Sequence, residues 1–326
     1  MPTLESLKLV FLISLPRSGS TLLQKILAAH PDVASAGEPW ILLPLAFLDK
    51  HKGIEAIYNQ ANAAKGIREM IGHLPGGRDA YVRHLRRFCL DLFRDLAGER
   101  IIFLDKDPRY YLIQDFLVEL FPQAKFIFLF RNPLDVMCSM MSTWLKDLLI
   151  LHAYHIDLFE GVRSMSRGSL MYADRGINVH YEHLVREPAH QVRRICEFIG
   201  ITYCEKMLLN YKNVQFGGSM GDPLGINRYP NVSTASSNIW PRKLNNFYRI
   251  RFARKYLAAL GDEVLIPWQF SRAQFEDTVS QMKVRFRGSF RDMTYRQLSD
   301  LWRLISGTRL RHMLQERKSG EIYLFR

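Results

Sequence analysis

Leu9-Val10-Phe11-Leu12-Ile13-Ser14-Leu15-Pro16-Arg17-Ser18-Gly19-Ser20-Thr21-Leu22-Leu23 decides the fold. An apolar run breaks at Pro16 and Gly19. An apolar stripe with helical spacing follows at once, carried by Leu22, Leu23, Ile26 and Leu27. The pattern predicts strand, tight loop, helix. The loop holds the cation of Arg17, the hydroxyls of Ser18, Ser20 and Thr21, and Gly19. Its backbone N–H groups lie at a helix N-terminus, where orphan donors and the positive dipole end favour a phosphate-like anion.

Outward from this segment, strand-like runs recur at Leu9–Ser14, Ile101–Leu104, Lys125–Phe130 and Ile177–Tyr181. Helical patterns fall between them, at Ser20–Ala29, Asp79–Leu96, Tyr111–Phe121, Leu134–Ile150 and Ala189–Ile199. Alternation of this kind implies an α/β fold with a central parallel sheet and helices on both faces. Ligands of such sheets sit outside the carboxyl ends of the strands, so chemistry is expected after Ser14, Leu104, Phe130 and Tyr181. The stretch from about 40 to 100 is too long for a simple connection and reads as a helical cap that shapes an acceptor pocket. Residues 1–270 form the main domain in this reading. Residues 271–326 form a basic C-terminal extension of unassigned role, with 12 Lys/Arg against 6 Asp/Glu.

The chain has 326 residues, 48% hydrophobic and 24% charged, as expected of a globular protein with a full core. Its formal net charge of +13 favours anionic ligands without choosing among them. Cys89, Cys138, Cys196 and Cys204 form no CxxC pair, and no histidines fall at ligand spacing beside cysteines or carboxylates. Reduced thiols and no metal are therefore expected. No signal segment precedes the first strand, and the longest apolar stretches are too short to span a bilayer, so a cytoplasmic protein is expected if this is the whole natural chain; for an excised domain the absence means nothing. No RNA-binding or recognition-helix pattern supports a nucleic-acid partner.

A nucleoside-triphosphate loop needs G-x-x-x-x-G-K-[ST], and here the first glycine and the lysine are missing. The short Pro-Arg-Ser-Gly-Ser-Thr form, Pro16 to Thr21, instead resembles the 5′-phosphosulfate loop of sulfotransferases. Phe126-Ile127-Phe128-Leu129-Phe130-Arg131-Asn132-Pro133-Leu134-Asp135-Val136, with Ser139 eight positions after the arginine, resembles the 3′-phosphate segment of the same family. A guanidinium fork and a hydroxyl two helical turns on can grip one phosphate. An ion pair with Asp135 is the other use of Arg131.

The resemblance implies a P-loop-like sulfotransferase fold and 3′-phosphoadenosine 5′-phosphosulfate (PAPS) as co-substrate, released as adenosine 3′,5′-bisphosphate. It assigns donor binding to Arg17, Ser18, Gly19, Ser20, Thr21, Arg131 and Ser139. Val179-His180-Tyr181-Glu182-His183-Leu184 resembles the family's Tyr-Glu-x-Leu segment and adds Tyr181 as an adenosine contact, with a core tyrosine as the alternative. Ser236 to Lys243 resembles the late loop over the nucleotide and adds Ser237, Trp240, Arg242 and Lys243, although it lacks the Arg-Lys-Gly element of the steroid and phenol branch. Gly221-Asp222-Pro223 is a candidate part of the same lid.

His30-Pro31-Asp32-Val33 followed by Gly37-Glu38, and Lys106-Asp107-Pro108, look like the protein-tyrosine and bacterial branch. By that resemblance Glu38 is the general base, while Lys106 and Arg17 face the transferring group. A solvated loop carboxylate is the alternative for Glu38. The acceptor is expected to be a small molecule or lipid, with carbohydrate next, and a homodimer is compatible with the sequence. A P-loop kinase and a non-catalytic polyanion-binding protein are the rival classes.

Overall fold

The computed structural model describes residues 7–51, 54, 56–216 and 232–305. Five strands form one parallel sheet: β1 (Lys8–Ser14), β2 (Val33–Ser35), β3 (Ile102–Asp105), β4 (Lys125–Phe130) and β5 (Gly176–His180), in the order β2-β3-β1-β4-β5. Strand alternation divides the side chains cleanly between two faces. Phe11, Phe103, Phe126, Phe128 and Phe130 enter one core; Val10, Leu12, Leu104, Ile127 and Leu129 enter the other. Both faces are covered, so the strands read as unbroken apolar runs. Phe11 stacks on Phe126 across the β1–β4 pair at 5.8 Å between centroids.

The chain leaves β1 toward β3 and β2 on one side, then returns to build β4 and β5 on the other. The order therefore reverses between β1 and β4. A crevice opens there at the carboxyl edge, where ligands of open α/β sheets bind.

Four of the five strands lie where the sequence places them. The edge strand β2 is the addition; three residues after a Pro-Asp turn are too few to show period two. The helix expected over Leu134–Ile150 stops at Trp144, because Lys146 and Asp147 turn into left-handed backbone at φ 50° and 60°. The helix expected over Tyr111–Phe121 is a 3₁₀ turn, Tyr110–Leu112, followed by Gln114–Leu120. Tyr181 is not the last strand residue but the first of a helix, Tyr181–Arg186.

Between β2 and β3 stand the helices Leu42–Phe47, Gln60–His73 and Gly77–Ala97. The last lies on the sheet itself, with Phe93 stacked on Phe103 at 4.7 Å. Residues 272–305 are packed onto the main body. Arg249 of the helix Phe247–Leu260 holds Asp292 of the helix Ser289–Ile305 through Nε at 2.7 Å and Nη2 at 3.0 Å. Gly221-Asp222-Pro223 and residues 306–326 lie outside the described residues.

Candidate active site

The loop after β1 turns on two left-handed residues, Arg17 at φ 69° and Gly19 at φ 89°. Arg17 adopts this conformation despite its side chain, an unfavourable choice typical of ligand-gripping turns. At Gly19 an added Cβ would fall 2.5 Å from the Tyr181 ring, so only glycine fits. Gly19 N-caps the helix Ser20–Ala28, which puts Ser20 and Thr21 in its first turn.

Arg131 ends up directly beside this loop. Its Nη1 donates to the Arg17 carbonyl at 2.5 Å and its Nη2 to the Ser236 carbonyl at 2.6 Å. The guanidinium also lies over the Tyr181 ring, 4.6 Å from the centroid. Ser139 Oγ accepts from Arg17 Nε at 3.4 Å. Five of the expected residues, Arg17, Gly19, Arg131, Ser139 and Tyr181, are therefore one contiguous group. Asp135 does not hydrogen-bond Arg131. It is fully buried and accepts from the backbone N–H groups of Asn238 (2.6 Å) and Trp240 (2.9 Å). Burial pushes its carboxyl up to about 6, even with Arg131 nearby.

Around this group, Ser14 Oγ, Ser18 Oγ, Arg131 Nε and Ser237 Oγ are buried without a hydrogen-bond partner among the described residues. Buried polar groups are nearly always paired. Four orphans at one crevice are donors and acceptors awaiting a polar ligand.

A second corner forms where the loops after β2 and β3 meet. Lys106 Nζ donates to Glu38 Oε1 at 2.5 Å, and the two side chains are only 2% and 12% exposed. Glu38 Oε2 makes no hydrogen bond among the described residues. Gln24 fixes the approach to Glu38 from below, its Nε2 donating to Ser35 Oγ, Ala36 O and Gly37 O. Trp40, left-handed at φ 57°, donates its backbone N–H to Asp107 Oδ2 at 2.9 Å. Tyr110 Oη donates to Asp105 Oδ2 at 2.6 Å. Burial raises the Asp105 carboxyl to about 7, assisted by Asp107, and raises Asp107 to about 6.

The late segment behaves differently from the expectation. Trp240 is 1% exposed, and its ring packs against Phe275 at 5.3 Å, so it is a core residue that presents no face to a ligand. Lys243 is ion-paired with Asp147 at 2.8 Å, and Arg242 is exposed. Of this segment, Ser236 and Ser237 are the residues brought to the Arg131 crevice. The sequence reading assigned no role to Gln24, Trp40 or Trp144, and it marked Asp107 only as part of the Lys106-Asp107-Pro108 motif. Trp144 is half-exposed, stacks on Tyr154 at 5.0 Å and carries the Arg17 guanidinium 5.6 Å over its ring. No local pattern marks Gln24, Trp40 or Trp144 in advance.

No cluster of three or more metal-ligating side chains occurs among the described residues, and no helix there is long and apolar enough to cross a membrane.

Residues 10–205 match the profile of the Sulfotransferase family, well over half of the chain. The protein belongs to the sulfotransferase family. The matched region contains both crevice loops, Glu38, Lys106 and Tyr181, and ends before the late segment. Nodulation protein NoeE of Sinorhizobium fredii is 36% identical over 41% of this chain and 31% of its own length. The protein-tyrosine sulfotransferase of Drosophila melanogaster is 26% identical over 63% of this chain and 40% of its own. The chain thus spans about a third to two fifths of these two relatives. Among solved structures, the sulfotransferase domain of the Synechococcus PCC 7002 olefin synthase aligns with 80% of this chain and 93% of its own, at a TM-score of 0.52 and 26% identity. The sulfotransferase domain of the curacin biosynthetic pathway covers 72% of this chain and 90% of its own at a TM-score of 0.50; at 20% identity it speaks for the fold alone.

Proposed function

We propose that the protein transfers a sulfuryl group from PAPS to an acceptor hydroxyl. One observation carries this reading: the two anion-binding segments meet, with Arg131 bonded to the carbonyl of Arg17. The orphaned Ser18 Oγ, Arg131 Nε and Ser237 Oγ suit a ligand with several anionic oxygens. Arg131 and Ser139 would hold the 3′-phosphate. The N–H groups from Ser18 to Thr21, at a helix N-terminus, would hold the phosphosulfate. Tyr181 would lie on the nucleoside side.

In transfer, the bond from sulfur to the bridging oxygen breaks and a bond from sulfur to the acceptor oxygen forms. Adenosine 3′,5′-bisphosphate leaves, and Glu38 takes the acceptor proton. Lys106 holds Glu38 in place through Oε1, which leaves Oε2 for the proton. Arg17 and Lys106 oppose the negative charge that grows on the bridging oxygen, so positioning and fixed charge supply most of the acceleration. The half-exposed Trp144–Tyr154 pair gives the crevice a flat apolar wall, which suits a small-molecule or lipid acceptor and also one face of a sugar.

Isothermal titration with PAPS and with ATP–magnesium tests the reading. Saturable heat with PAPS and none with ATP–magnesium is expected. Heat with ATP–magnesium alone would make the chain a nucleotide-dependent kinase and end the proposal.

A further inference from the structure

The helix Ser289–Ile305 is amphipathic in an unusual sense. At 100° per residue, its docked side carries Asp292, Arg296 and Ser299. Asp292 is buried on Arg249 and Asn246, Arg296 lies over the Phe252 ring, and Ser299 bonds His152. The opposite side carries Phe290, Thr294, Leu298 and Leu301, with Trp302 on its flank, all exposed. Phe290 is 76% exposed and Trp302 59%.

The segment that leads into this helix is exposed as well. Lys283, Val284, Arg285, Phe286 and Arg287 are all exposed, Phe286 by 78%. It is not a loose strand. Arg285 N donates to Asn245 O at 2.9 Å, Phe247 N donates to Arg285 O at 3.0 Å, and the Phe286 ring stacks on exposed Phe247 at 5.9 Å. Positions 278–291 hold Lys283, Arg285, Arg287 and Arg291 and no acidic residue. None of these four cations is ion-paired among the described residues.

We propose that this face docks onto an anionic lipid surface. Contiguous apolar surface rimmed by cations marks an interaction site. Aromatic side chains that protrude between unpaired cations match the two requirements of interfacial binding: apolar groups to enter the headgroup boundary and charge to meet anionic lipid. A second copy of the chain is disfavoured, since self-association would set four cations against four more on a chain of net charge +13. Nucleic acid would use the cations and the rings, yet it leaves the aliphatic stripe of Leu298 and Leu301 without a role. The proposal goes beyond sulfuryl transfer and does not depend on it.

Co-sedimentation with phosphatidylcholine vesicles, with and without phosphatidylserine, tests it on the full chain. Binding to the serine-containing vesicles, weakened by salt and unmoved by free phosphoserine, is expected. The double variant Phe286→Ser/Phe290→Ser should lose at least about tenfold in partition, since each ring gives up burial in the interface. Arg285→Gln/Arg287→Gln should lose roughly fivefold per cation. All four positions are exposed, and thermal melting confirms that the variants remain folded. Equal binding to both vesicle types, or no loss in the phenylalanine variant, overturns the proposal. So does a concentration-dependent dimer that the phenylalanine variant abolishes, or tighter binding to single-stranded nucleic acid than to vesicles.

Discussion

Arg131→Ala puts the strongest demand on the site. The native guanidinium is 5% exposed and ties the Arg17 carbonyl to the Ser236 carbonyl while resting on Tyr181. Truncation leaves two acceptors without their donor, at about 1–3 kcal/mol for a buried unsatisfied group. Water can enter the space vacated, so the lower half of that range applies to the pair together. At about 1.5 °C per kcal/mol for a chain of 326 residues, Tm should fall by roughly 1.5–3 °C. The loss to a 3′-phosphate is separate. A hydrogen bond to a charged group contributes about 1.5–3 kcal/mol, which is roughly 10–150-fold in affinity. Calorimetric titration with adenosine 3′,5′-bisphosphate reads this directly, and differential scanning reads Tm on the same samples. Arg131→Lys keeps the charge but cannot span both carbonyls and a phosphate, so it should fall between wild type and alanine. A folded Arg131→Ala protein that binds the bisphosphate within twofold of wild type would refute the assignment of this crevice.

Glu38→Gln should lower turnover by about 10²–10⁴-fold while donor affinity stays within a few-fold, as expected of a general base; wild-type turnover would remove Glu38 from that role. Gly19→Ala should destabilise by about 1–2 kcal/mol for the left-handed backbone alone, and further because Tyr181 would have to leave Arg131; unchanged urea melts and unchanged bisphosphate binding would show that the contact is slack. The Asp105 and Asp107 carboxyls are raised by burial from 3.8 to about 7 and about 6. The folded state therefore keeps protons that the unfolded chain has released, and their contribution to stability is full below about pH 4 and declines as pH rises to about 7. Asp105→Asn preserves an acceptor for Tyr110 Oη and should be more stable than wild type at about pH 8, with the gap closing near pH 4; a gap that does not change with pH would contradict the burial argument.

Much of this architecture was legible because it is written locally. The apolar run from Leu9 and the helical stripe after Gly19 predict β1, its loop and the following helix almost to the residue. The resemblance to the 3′-phosphate segment drew notice to Arg131 and Ser139, and the fold sets both against Arg17. What escaped depends on contacts distant in sequence. Trp240 resembled a nucleotide-loop residue, but its neighbours Phe270 and Phe275 make it core, and no local pattern announces them. Gln24 carries no local signal of its place; only the fold puts its amide against the carbonyls of the Glu38 loop. Lys243 offered a spare cation until Asp147, held in left-handed backbone past the helix end, took it.

The late segment reaches the crevice through main-chain atoms. Arg131 takes hold of the Ser236 carbonyl, and Asp135 takes the amide hydrogens of Asn238 and Trp240. Every peptide unit except proline offers the same two handles. The side chain at 236 is thus at liberty to drift without dislodging the closure, whereas position 238, left-handed at φ 52°, favours an asparagine or glycine; a departure from the Arg-Lys-Gly spelling need carry no mechanical penalty. Two anchors, one cationic and one anionic and only four residues apart on the β4 exit, suffice to deliver the whole flap.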